Sequence, residues 1–330
     1  MLQYSGKRRQ TTSFTIGGVG IGSDYPVSIQ SMTNTDTRDA QATLTQIGQL
    51  AEAGCQMVRV AVPDEEAASA LKIICAESPV PVIADIHFNH RLALMAMDNG
   101  ISSLRINPGN IGSEEKVREV VSQAKAMQIP IRIGVNAGSL EKDLLAKYQH
   151  PTAEALVESA LRHVRILEDL NFDQIKISLK ASDVPLMIAA YRLMAEQVPY
   201  PLHLGVTEAG NAKHGIVKSA IGIGTLLAEG IGDTIRVSLT GNPLQEIPVA
   251  KQILRSLDLY PKGVEIISCP TCGRTQIALE QLVDAVDQMV SKVDKPLKLA
   301  VMGCVVNGPG EAREADLGIA GGKGEGLIFR

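Results

Sequence analysis

A chain of 330 residues, 45% of them hydrophobic, is long enough for one large α/β domain and a smaller one, at about one domain per 150 residues. Its 32 basic and 36 acidic residues leave a net charge of −4, and aromatics make up 3% with no Trp, which excludes a nucleic-acid surface built on a basic face with stacking rings. No segment is apolar enough to span a membrane, Met1 to Phe14 is not followed by the apolar core of a secretory signal, and five cysteines do not make a disulfide scaffold, so a cytoplasmic protein is expected.

The glycine-rich stretch from Ile16 to Pro26 comes first. It precedes the first long strand and opens no helix, so it lacks the context of a nucleotide-binding loop and is expected to form a hairpin. From there, short β-branched runs recur at 27–32, 56–62, 81–88, 102–108, 131–136, 174–180, 202–207 and 234–239. Helix-patterned stretches lie between them, among them 39–53, 65–77, 114–127, 152–170 and 244–257. Eight such units predict a TIM (β/α)8 barrel, with the Ile16 to Pro26 hairpin closing its floor; a doubly wound open sheet is the competing arrangement.

The polar residues within the strands favour the barrel. Alternation puts Asp85 with His87, Arg105 with Asn107, Arg132 with Asn136, Lys176 with Ser178 and Lys180, and Arg236 with Ser238 on shared faces, while Ile, Val and Leu fill most of the positions between. In a barrel the apolar face packs under the helices, and the polar face points into the lumen, toward the mouth at the C-terminal ends of the strands. Pro261 and Gly263 then break the pattern. The expected domains are therefore residues 1–260, the barrel, and 261–330, a small α/β unit. The small unit is expected to run strand 264–267, cysteine pair, helix 277–291, strand 297–302, and short strands near 316–320 and 326–329.

Arg59, Arg105, Arg132, Lys180 and Arg236 fall on five different strands, on faces assigned to the lumen, with Asp85 and Glu208 as the nearby carboxylates. One such cation alone is an ordinary solvated strand end, whereas five around one cavity call for a multiply charged anion, and guanidinium forks suit phosphate oxygens. Glu208, just past the seventh strand, is placed for proton transfer. His87, His203 and His214 show no metal-ligand spacing and are read as site or core residues.

Cys269 and Cys272 follow the strand at 264–267, and Cys304 follows the one at 297–302, so two strand ends bring three thiols together. A second Cys-x-x-Cys knuckle for structural zinc is missing, and a simple dithiol leaves Cys304 without a role. Three thiolates with one weaker ligand suit an iron-sulfur cluster, and Glu311 can fold back as that ligand. Cys55 and Cys75 are expected to be buried core thiols.

The segments Ser31 to Thr37, Ala84 to Asn89, Leu104 to Gly112, Arg132 to Leu140, Val206 to Gly210, Ser268 to Gln276 and Gly303 to Gly322 resemble the 4-hydroxy-3-methylbut-2-enyl diphosphate synthase family of bacterial non-mevalonate isoprenoid biosynthesis. The likeness runs from about Arg8 to the C-terminus, although the sequence stops at Arg330, where members of that family usually continue. It implies a TIM barrel joined to a 4Fe-4S domain, and a two-electron reductive dehydration of 2-C-methyl-D-erythritol 2,4-cyclodiphosphate. It implies Cys269, Cys272, Cys304 and Glu311 as cluster ligands. Around the diphosphate it implies Arg59, Arg105, Arg132, Lys180, Arg236 and Ser238, with Asp85, His87 and Asn136 near the carbon skeleton. Glu208 becomes the acid/base group, and Asn307 a residue that the small domain contributes to the site.

The last barrel helix returns the chain to the floor, and residues 258–263 span at most about 20 Å at roughly 3.5 Å per residue. That is too short to double back over the mouth, so a head-to-tail homodimer is expected, as the resemblance also implies. Ferredoxin or flavodoxin is the expected electron donor. The second reading is a non-redox barrel enzyme acting on a diphosphate substrate, with a zinc-bound structural cap.

Overall fold

The computed structural model describes residues 8–107, 111, 113–260, 262–275, 277–290, 293–304, 310, 312–313, 315–322 and 326–330, so Asn307 and Glu311 lie outside the described residues. The chain divides into two units, Met1–Leu257 and Asp258–Arg330.

The first unit opens with a hairpin of β1 (Phe14–Ile16) and β2 (Val19–Ile21). Its two-residue turn holds Gly17 and Gly18 at φ 53° and 87°, the left-handed values that such a turn demands. Phe14, Ile16 and Ile21 pack against Met57 and Ile83 at the beginnings of two barrel strands, which stoppers the floor with apolar side chains.

Eight parallel strands follow: β3 (Ser28–Met32), β4 (Met57–Ala61), β5 (Val82–Asp85), β6 (Ser103–Ile106), β7 (Ile131–Asn136), β8 (Ile175–Lys180), β9 (His203–Leu204) and β10 (Thr234–Ile235). Pairing runs in chain order from β3 to β8, and β10 joins β9 to β3. The remaining seam is closed by a bridge between Ile177 and Leu202 and by the Tyr191 hydroxyl, which accepts from Leu179 N and donates to the His203 carbonyl. These pairings make the barrel that the strand rhythm predicts.

The helices of the first unit are α1 (Ala40–Glu52), α2 (Glu65–Glu77), α3 (His90–Asp98), α4 (Glu114–Ala126), α5 (Lys142–Tyr148), α6 (Ala153–Asp169), α7 (Val184–Gln197), α8 (Ala212–Ala228) and α9 (Glu246–Arg255). Asp39, Asp64, Asn89, Thr152, Asp183 and Asn211 cap six of them by accepting from a free amide of the first turn. Such a cap contributes about 1 kcal/mol and fixes where each loop at the mouth ends.

The second unit is a four-stranded sheet in the order β11 (Val264–Ser268), β12 (Leu297–Met302), β13 (Leu317–Gly321), β14 (Gly326–Phe329). The first three are parallel and β14 is antiparallel. Helix α10 (Leu279–Val290) packs Leu279 and Val286 on Leu299 and Val301, while Ala300 and Met302, one position out of phase, pack on the opposite face with Ala312 and Ala320.

Candidate active site

The strand registers stack the inward side chains in layers drawn from alternate strands. Gln30, Ile83, Arg132 and His203 form a deep layer. Arg59, Arg105, Ser178 and Arg236 lie above it, then Met32, Asp85, Gly134 and Gly205, then Lys180 and Ser238 nearer the mouth. The two glycines create the space. A Cβ on Gly134 would lie 2.5 Å from Arg105 Nε, and one on Gly205 would lie 2.9 Å from Lys180 Nζ, so the cationic heads of β6 and β8 lie where side chains of β7 and β9 would otherwise be.

A cavity of about 180 Å³ opens there, lined by Arg59, Asp85, His87, Arg105, Arg132, Asn136, Ser178, Lys180, Thr207, Arg236 and Ser238. Every barrel residue assigned to the substrate from the sequence is among them. Glu208 is not: it is exposed, next to Thr207, with its backbone held in the left-handed region at φ 51°, unusual for a residue with a side chain. Sequence reasoning placed Ser178 on the inward face without choosing it for the site, and missed Thr207, which sits one residue before Glu208.

Asp85 holds the cavity together. Arg105 Nη1 donates to its Oδ1 at 3.0 Å, and Arg59 Nε lies 3.6 Å from Oδ2. Burial opposes charge on Asp85, yet Arg59, His87, Arg105 and Arg132 together hold its carboxyl well below the usual range. Arg105 also lies 3.1 Å from His87 Nε2 and donates to the Gly134 carbonyl. Two supports were not evident in the sequence. Glu246, at the start of α9 and buried, accepts from Arg236, Leu239 N and the Ser31 hydroxyl. The Met32 sulfur, a weak acceptor, lies 2.9 Å from Arg59 Nη2.

The cations outnumber their carboxylates. Burial pushes Arg59 down to about 10, partly offset by Asp85, while burial and the neighbouring Arg132, Arg236, Arg59 and Arg105 push Lys180 well below its ordinary value. An anion in the cavity restores the charged form. Between the depressed value of the free site and the ordinary value near ~10.4, the complex holds a proton that the free protein lacks. Binding is therefore expected to take up protons, and affinity to fall as pH rises through that window. Calorimetry of pyrophosphate binding in buffers of different ionisation enthalpy measures this, and net proton release would contradict it.

In the second unit, Cys269 and Cys304 stand at the ends of the adjacent strands β11 and β12, and Cys272 follows in the exposed turn. The Gly303 amide donates to Cys269 Sγ at 3.1 Å, and Arg274 lies within the field of all three sulfurs. A hydrogen bond from the Arg274 backbone, then its side chain, lowers the Cys272 thiol. Among the described residues no group of three His, Cys, Asp or Glu is set closely enough to hold a metal ion. The donor set nevertheless suits a thiolate-bound cluster, since three soft sulfurs follow two adjacent strand ends and Arg274 favours the thiolate of Cys272. Cys55 is a buried core thiol, whereas Cys75 is only partly buried, against the expectation for it; burial raises both to about 12.

The barrel cavity and the thiol-bearing small unit define the class: a (β/α)8-barrel protein with a cation-lined cavity, joined to an α/β domain with three cysteines that follow two adjacent strand ends. The chain belongs to the GcpE family, matching the GcpE TIM-barrel domain over residues 11–251 and the GcpE protein C-terminal domain over 265–330. It is 62% identical over 323 residues to 4-hydroxy-3-methylbut-2-en-1-yl diphosphate synthase (flavodoxin) of Geobacter sulfurreducens, covering 98% of this chain and 92% of that protein. The Clostridium perfringens protein of the same name is 61% identical, with 98% and 93% covered. Among solved structures, the barrel fold is shared with a truncated 3-deoxy-D-arabino-heptulosonate 7-phosphate synthase from Thermotoga maritima, at TM-score 0.53 and 12% identity over 76% of this chain and 91% of that one. Xanthomonas albilineans dihydropteroate synthase aligns at TM-score 0.51 and 13% identity over 75% and 98%. No helix among the described residues is long and apolar enough to cross a membrane.

Proposed function

We propose that the chain converts 2-C-methyl-D-erythritol 2,4-cyclodiphosphate to 4-hydroxy-3-methylbut-2-enyl diphosphate in isoprenoid precursor biosynthesis. The observation that carries this reading is the convergence of five cations on one small barrel cavity in a chain of this family. The reaction breaks a ring carbon–oxygen bond, expels a hydroxyl as water and consumes two electrons and two protons. Arg59, Arg105, Arg132, Lys180, Arg236 and Ser238 grip the diphosphate, whose charge they balance as the ring opens. Asp85, His87 and Asn136 orient the carbon skeleton, and Glu208 delivers a proton to the departing hydroxyl. Asn307 is the small domain's contribution to the site.

No side chain supplies the electrons. Cys269, Cys272, Cys304 and Glu311 would hold a 4Fe-4S cluster, which when bound passes them singly from flavodoxin, the carrier in the relatives' names, or from ferredoxin. Anaerobic purification tests this directly. Brown protein containing iron and acid-labile sulfide, active on the cyclodiphosphate with a reduced carrier, is expected; colourless, zinc-loaded protein would reject it in favour of a non-redox barrel enzyme.

The same reading includes a head-to-tail homodimer, supported by the short connection from α9 to β11. A Cys304→Ser chain mixed with a Glu208→Gln chain is expected to recover about a quarter of wild-type activity, because half the dimers are mixed and each has one intact site pair. Verified mixed dimers without activity would count against it.

A further inference from the structure

Below the cavity lies a second cluster of polar side chains, of which the proposed reaction uses only Arg132. Gln30, Arg132 and His203 share the deep layer, and Lys176 on β8 is the register partner of Arg132 on β7. Their exposures are 1%, 2%, 0% and 1%. Gln30 Oε1 and Nε2, Arg132 Nε and Nη1, Lys176 Nζ and His203 Nε2 all lack hydrogen-bond partners, as does the nearby Ser28 Oγ. His203 is oriented through its other nitrogen, 2.6 Å from Thr234 Oγ1.

Gln30, Lys176 and His203 are buried between the two ends of the barrel. The β1–β2 hairpin seals the floor through Met57 and Ile83, and the layer of Arg59, Arg105 and Arg236 lies above. Gln30, Lys176 and His203 do not line the upper cavity, so an anion bound there leaves them unserved. The carboxylates that act on the two deep cations are Asp85 and Asp233. Both are engaged elsewhere: Asp85 with Arg105 and Arg59, Asp233 with Arg8, Thr11 and the Leu202 amide. Buried polar groups without partners are costly, and two adjacent buried cations more so. Donors outnumber acceptors in the cluster, because Lys176 and Arg132 only donate. Water bridges such a set but does not balance its charge. Burial and Arg132 push Lys176 well below its ordinary value, and even a neutral amine would leave its own N–H groups unpaired.

We infer that the barrel floor holds a small monovalent inorganic anion, of halide size, between Lys176 and Arg132, with Gln30 and His203 completing its shell. This structural site is separate from the polyanion cavity and shares only Arg132 with it. The inference does not depend on which anion the mouth binds.

Crystals of the full chain soaked in sodium bromide test it. An anomalous peak within hydrogen-bonding distance of Lys176 Nζ and an Arg132 nitrogen is expected. In solution, replacing gluconate, too large to enter, by chloride at constant ionic strength is expected to raise Tm by about 3 °C, and Lys176→Met to abolish that rise. Should the variant fail to fold, the bromide map and the halide response of the unaltered chain still decide. Water without an anomalous signal overturns the inference, as does bromide binding at crystal concentration only, with Tm indifferent to chloride.

Discussion

Arg105→Met is expected to lower kcat/KM by about three orders of magnitude. Arg105 ties together three groups around the cavity: its guanidinium reaches Asp85, His87 and the Gly134 carbonyl, in the space that Gly134 leaves vacant. Losing the two charge-assisted hydrogen bonds that Arg105 is proposed to make to the diphosphate, at about 2 kcal/mol each, accounts for the loss. Stability falls as well, by about 3 kcal/mol, because Asp85 loses its shortest ion pair and keeps only the longer contacts to Arg59 and His87 for its buried charge. Asp85 has a depressed folded-state pKa, so its contribution is full above the unfolded value near ~3.9 and is lost as pH falls toward the folded one. With Arg105 gone the folded value rises, and the acid unfolding transition is expected to move to higher pH. Steady-state kinetics and acid titration of the variant check both parts; a kcat/KM within tenfold of wild type would remove Arg105 from the binding machinery.

Cys304→Ser is expected to abolish turnover while leaving the barrel untouched. The end of β12 presents Cys304 beside the Cys269 strand end, and an alkoxide is a poor substitute for a soft thiolate in an iron-sulfur site. Iron per chain is expected to fall by at least half and the visible absorbance to bleach, with pyrophosphate affinity unchanged because the cavity proposed to bind it is lined by residues of the barrel. That separation matters. A variant that loses pyrophosphate binding together with iron has unfolded, whereas one that keeps its full iron content shows that Cys304 is not a ligand.

Period-two alternation inside short strands was enough to place Arg105, Arg132, Lys180 and Arg236 on one lumen. In a closed barrel only one face of each strand is available to polar residues. The alternating strand-helix rhythm likewise announced the barrel. Helix α8 carries glycines that weaken the helical signal, and two of them, Gly215 and Gly222, pack closely against Leu239 and against Met187 and Val206. Glu246 was not legible either: it lies on a helix, and it supports Arg236 only because that helix folds back over the end of β10. The roles of Gly134 and Gly205 depend on what the neighbouring strand inserts beside them.

Sequence alone determined which residues face inward and which carry positive charge, because both follow from residue type and strand periodicity. Tertiary structure decided their heights in the barrel. Register between strands, closed by the Ile177–Leu202 bridge, separates the cations of the cavity from Lys176 and His203 beneath it. Periodicity within one strand says nothing of its offset from the next, and that offset determines which buried charges find partners and which are left without them.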